Sequence, residues 1–108
     1  MTPEGKVKLA VKKLLSAYQP YTFWPVQTGF GGRTLDCLGM YKSFGFAIET
    51  KRPGKTLTPL QEVAARDIVE QGGAPVFVIG EFASEVDGKI IYSGMGVLEA
   101  WLKAVQQK

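Results

Sequence analysis

The sequence predicts an α/β fold with a mixed sheet flanked by helices, in the element order α-β-β-β-α-β, followed by a hairpin strand and a closing helix. Three observations carry this. Apolar residues recur at helical spacing near both ends of the chain. Two strand-like runs, Thr34 to Tyr41 and Phe44 to Arg52, flank a short Lys42-Ser43 turn. A helix start at Thr58-Pro59-Leu60-Gln61 leads into the wholly apolar run Pro75 to Gly80, the pattern of a right-handed β-α-β crossover with a parallel strand pair.

In chain order, Thr2 is a helix N-cap, Pro3 takes the first helical position and Glu4 puts an acid in the first turn. Val7, Ala10, Val11, Leu14, Leu15 and Tyr18 then form one stripe with lysines opposite, so helix one spans about residues 3 to 18. Gln19-Pro20 ends it, because the residue before proline is pushed out of the α region. Tyr21 to Gln27 reads as an edge or bulged strand, given Pro25 inside it. A glycine-rich loop ending at Arg33 precedes the central hairpin, and Pro53-Gly54-Lys55 breaks the chain after it. Helix two carries the capping-box pattern, a buried stripe of Leu60, Val63, Ala64 and Ile68, and a Gly72-Gly73 stop. Asp87-Gly88 marks a hairpin turn before Lys89-Ile90-Ile91-Tyr92, and a last helix from about 95 to 106 buries Val97, Leu98, Trp101, Leu102 and Val105.

A chain of 108 residues is expected to be one domain, 1–108, without room for an organic-cofactor domain. Its only cysteine, Cys37, excludes an intrachain disulfide and points to a reducing, cytoplasmic setting. The longest apolar run, Ala74 to Ile79, is far below the roughly 20 residues of a membrane span. There is no histidine, which excludes Ser-His-Asp and Cys-His triads, histidine zinc sites and a histidine general base. The net charge of +3 is mild, but Lys6, Lys8, Lys12 and Lys13, then Arg33, Lys42, Lys51, Arg52 and Lys55, cluster enough to permit a polyanionic partner. A solvated helix face accounts equally well for the first group.

Chemistry concentrates on the central hairpin. Alternation puts Ala47, Glu49 and Lys51 on one face of their strand, and Phe46, Ile48 and Thr50 on the other. If Tyr41 faces Phe44 across the turn, Asp36 falls opposite Glu49. Two opposed carboxylates repel unless a cation sits between them, so removing either should preserve or raise stability. Oxygen ligation by Asp36, Glu49 and a backbone carbonyl such as that of Thr50 suits Mg²⁺ or Mn²⁺. Lys51, one strand repeat away, can orient an attacking water or offset charge on a phosphate. The plainer alternative is a Glu49–Lys51 surface ion pair with Asp36 as a polar residue near a turn.

Gly32-Arg33-Thr34-Leu35-Asp36, Phe46-Ala47-Ile48-Glu49-Thr50-Lys51 and Thr58-Pro59-Leu60-Gln61 together resemble the virus-type replication-repair nuclease (VRR-NUC) branch of the PD-(D/E)xK superfamily, over roughly residues 4 to 80. The resemblance implies a restriction-endonuclease-like core, metal binding by Asp36 and Glu49, a catalytic Lys51 and a Gln61 beside the site. Leu35 stands where the motif name has proline. Stand-alone phage and bacterial members look like dimeric enzymes acting on branched DNA such as four-way junctions, whereas the fused eukaryotic member processes flaps and crosslinks.

Supporting residues keep two explanations each. Glu4 shares the inward stripe of helix one and, by resemblance, completes the metal site; as a first-turn acid it also suits the helix dipole. Gln61 is the expected capping-box partner of Thr58, and only the resemblance adds a catalytic-site role. Arg33, Arg52 and Lys55 are candidates for DNA phosphate contacts outside the site. A symmetric junction needs two cuts, so a homodimer is expected, with excess apolar surface in Ile90, Ile91, Tyr92, Val97, Leu98 and Trp101 as its patch unless these finish the core.

Overall fold

The computed structural model describes residues 1–26, 34–52, 54, 55, 57–80 and 91–108, except the side chains of 91–93. Its elements are α1 (Pro3–Tyr18), β1 (Tyr21–Phe23), β2 (Cys37–Tyr41), β3 (Phe44–Thr50), α2 (Pro59–Glu70), β4 (Val76–Ile79), β5 (Ile91–Ser93) and α3 (Met95–Gln106). Local chemistry explains the helix ends. Thr2 accepts the Gly5 N–H at 3.0 Å to start α1, and Gln19 takes a left-handed conformation (φ 57°) to stop it ahead of Pro20.

The sheet is mixed, in the order β1-β2-β3-β4-β5. β1–β2 and β2–β3 pair antiparallel, whereas β3–β4 and β4–β5 are parallel. Lys42 and Ser43 both have positive φ, as a two-residue hairpin turn of the primed type requires, and the pairing runs from Tyr41↔Phe44 to Cys37↔Ile48. Within that ladder Gly39 faces Phe46, whose ring lies where any β-carbon would be, 2.3 Å from Cζ; a larger residue would displace the ring.

Helices cover both faces. Val11 and Leu15 of α1 and Leu98, Leu102 and Val105 of α3 pack on Phe46, Ile48, Phe77 and Ile79. On the other face Ala64 and Ala65 of α2 meet Ala47, Val76 and Val78, together with Leu35 and Leu57. β4 is buried at every position, as its apolar run predicts. No helix among the described residues is long and apolar enough to cross a membrane.

Three expectations change. β1 ends at Phe23, β2 begins only at Cys37 and β3 ends at Thr50, so each strand is shorter than its β-prone run. The face α2 turns inward is Gln61, Ala64, Ala65 and Ile68, whereas Leu60 and Val63 are 49% and 42% exposed. On α3, Val97 is 42% exposed where the apolar stripe expects it buried, whereas Leu98 is fully buried and Trp101 packs on Phe46 and Phe77 (ring centroids 5.4 and 5.7 Å), so these two serve the core; the side chains of 90–92 lie outside those described. β5 pairs in parallel with β4, Val76↔Ile91 to Val78↔Ser93. The Asp87-Gly88 turn lies outside the described residues.

Candidate metal centre

The β2–β3 ladder reaches its last Cα pair at Cys37↔Ile48, and the chain bends at Asp36. Beyond that point side chains take over the bonds that backbone would have made. The Asp36 N–H donates to Glu49 Oε1 at 3.0 Å, and the Thr50 N–H and hydroxyl donate to Asp36 Oδ2 at 2.9 and 2.6 Å. Both carboxylates are buried, Asp36 at 8% exposure and Glu49 at 3%.

Glu49 Oε2 receives the Gln61 amide at 3.0 Å and lies 3.5 Å from Lys51 Nζ. Burial, then the neighbouring Asp36, push the Glu49 carboxyl up to about 7, and Lys51 opposes the rise. Lys8, one helical turn beyond Glu4 on α1, brings its ammonium to 4.0 Å from Asp36 Oδ1. The spacing Glu4 to Lys8 is the sequence signal for this second cation: a helix that aims residue 4 at the site aims residue 8 there too.

Glu4, Asp36 and Glu49 offer carboxylate oxygens that lie within 4.8 Å of one another. Asp36, Glu49, Lys51 and Gln61 are therefore together, and Glu4 reaches them from the exposed first turn of α1. Thr50 meets the site through its N–H and hydroxyl. Gln61 fills both of its expected roles at once: Oε1 accepts the Thr58 N–H at 3.0 Å to close the capping box, and Nε2 holds Glu49. Arg52 and Lys55 are exposed and share with Glu4, Lys51 and Thr58 the lining of a cavity of about 320 Å³. Arg33 lies outside the described residues.

No family model, curated protein or solved structure matches the chain. An all-oxygen set with two buried carboxylates fits a hard divalent cation, which would relieve both the desolvation and the mutual repulsion that raise Glu49. It does not fit zinc: histidine is absent, and Cys37 is packed in the core with its thiol pushed up to about 12 by burial.

Proposed function

We propose that this chain is a Mg²⁺- or Mn²⁺-dependent DNA endonuclease of the VRR-NUC, PD-(D/E)xK type, hydrolysing phosphodiester bonds at branched structures such as four-way junctions or flaps. The observation that carries the proposal is the placement of Lys51 3.5 Å from a buried glutamate that shares a three-carboxylate cluster with Asp36 and Glu4. A binding-only surface has no need of buried carboxylates, which are costly to ionise.

Asp36, Glu49 and Glu4, with the Thr50 carbonyl, would hold the ion. When bound it supplies Lewis acidity toward a phosphate and toward the attacking water. Lys51 orients that water and offsets charge developing on the phosphate. Gln61 fixes the Glu49 carboxylate from α2, and Lys8 offsets charge at Asp36 from α1. In a homodimer two such sites would face the two strands of a junction.

One feature supports a rival, a nucleic-acid-binding module without catalysis: Asp36 Oδ2 and both Glu49 oxygens already accept protein hydrogen bonds, as in a purely structural network. Labelled four-way junction and linear duplex, each with Mg²⁺, Mn²⁺ or EDTA, separate the two. The nuclease predicts metal-dependent cleavage that favours the junction. Binding without cleavage in either metal would overturn it in favour of the rival, and neither binding nor cleavage would overturn both.

A further inference from the structure

The cavity beside the carboxylates has a construction that metal binding does not explain. The Lys51 N–H donates to Ile79 O at 2.9 Å, so the chain stays tied to β4 one residue beyond the end of β3. The chain then turns at once. The Lys55 N–H donates to Arg52 O at 3.1 Å, which closes a four-residue turn, and Gly54 takes φ 80°. The first and fourth residues of such a turn have Cα atoms within about 7 Å of each other. Arg52 and Lys55 are thus held side by side, like charges without an ion pair to any carboxylate among the described residues. Both line the cavity, together with Lys51, whose ammonium is 3.5 Å from Glu49, and with Thr58, the N-cap at the positive end of the α2 dipole.

Fixed, adjacent cations on a rigid strand end make a receptor for a compact polyvalent anion. Arginine offers a planar fork to two phosphate oxygens and lysine a point charge. A volume of about 320 Å³ lies at the small end of ligand sites, the size for a phosphate and its sugar more than for a base pair. Glu4 is the one acid in the lining among the described residues, and a cation at the carboxylate cluster would offset its charge.

We infer that this cavity is a phosphate subsite, in which Arg52 and Lys55 hold a second phosphate of the substrate strand next to the one that Lys51 faces. This rests on the nuclease reading for its role, but not for its chemistry. The occupant is a phosphate group, from either a terminal monoester or the internal diester of a continuous strand.

The test is an NMR titration of the metal-free protein with inorganic phosphate, thymidine 5′-monophosphate and the dinucleotide TpT, repeated on the Arg52→Gln/Lys55→Gln double variant. Both side chains are exposed, so the variant should keep its fold, as its unchanged thermal midpoint would verify. Shifts centred on residues 51, 52, 55 and 58, weakened at least tenfold in the variant, are expected. Tighter binding of the monophosphate identifies a strand end, and equal or tighter binding of TpT a continuous strand. Absence of binding, or equal binding to both proteins, overturns the subsite. Junction cleavage scored in parallel keeps the two proposals apart: wild-type protein that binds phosphate through these residues yet cuts nothing leaves the subsite standing and removes the nuclease, and cleavage with no phosphate binding does the reverse.

Discussion

Asp36 donates its backbone N–H to Glu49 Oε1 at 3.0 Å, one residue past the last Cα pair of the β2–β3 ladder, so the two acids are bound to each other through a donor as well as set against each other by charge. That changes what removing either one should do.

Replacing Asp36 with alanine deletes the acceptor for two buried donors, the Thr50 N–H and hydroxyl. An unsatisfied buried group costs about 1–3 kcal/mol, which outweighs the relief of repulsion that alternation alone suggests. Asp36→Ala is therefore expected to lose stability in metal-free urea unfolding, and Asp36→Asn, which keeps an acceptor oxygen, to lose less. Both should lose divalent-ion binding. An alanine variant as stable as wild type would contradict the hydrogen-bond account.

Glu49 sets a pH dependence whose sign follows from its raised carboxyl, about 7 in the folded chain against 4.5 when free. The folded state prefers the protonated form, so this stability is fully present below pH 4.5 and is lost as pH rises through about 7. Metal-free protein should lose on the order of 2–3 kcal/mol between pH 5 and 8 from this group, and Glu49→Gln should show a smaller decline. Ion binding runs the opposite way, because the ligand must be ionised: calorimetric Mn²⁺ affinity should rise from pH 6 to 8. Affinity independent of pH would remove Glu49 from the ligand set.

Gln61 links α2 to the site, and two substitutions separate its roles. Thr58→Ala removes the hydroxyl that accepts the Gln61 N–H but leaves the Glu49 bond, whereas Gln61→Ala removes the acceptor of the Thr58 N–H, the other half of the capping box, together with the Glu49 bond. Each should cost about 1 kcal/mol of stability from the lost cap. Only Gln61→Ala should also weaken Mn²⁺ binding, since Glu49 then loses the donor that orients it. Equal ion affinity in the two variants would reduce Gln61 to a capping residue.

What the sequence made legible was governed by local rules. A two-residue turn at Lys42-Ser43 determines the hairpin register, and period-two alternation then carries Glu49 to the face that α2 covers. The inward face of α2 is only half legible, in Ala64 and Ile68, because apolar pattern ranks Leu60 and Val63 above a glutamine; turning Gln61 to the sheet is offset by its bonds to Glu49 and Thr58, which are remote or polar and leave no periodic trace. The parallel pairing of β5 with β4 leaves no local trace either. A turn dipeptide reports on its own neighbours, while the strand's partner in the sheet is β4, chosen by long-range packing. Lys8 stood in plain view as a surface lysine, and only the distance to Asp36 gives it a function.

Lys51 is the residue for which binding and turnover should come apart. Its ammonium sits 3.5 Å from Glu49 Oε2 and opposes the rise in that carboxyl, so it favours the ionised form that a metal requires. Lys51→Ala should therefore shift the pH midpoint of Mn²⁺ binding upward while leaving full binding at pH 8 to 9, where Glu49 is ionised without help. Turnover should not recover at that pH, because water and phosphate still lack the cation; a loss of at least a hundredfold in kcat is expected, within the usual range for a group acting on the transition state. Lys51→Arg keeps the charge but not the point geometry, and should restore the binding midpoint more than the rate. A Lys51→Ala enzyme that regained wild-type kcat at pH 9 would show that the lysine serves only to ionise Glu49, and its proposed part in catalysis would fall.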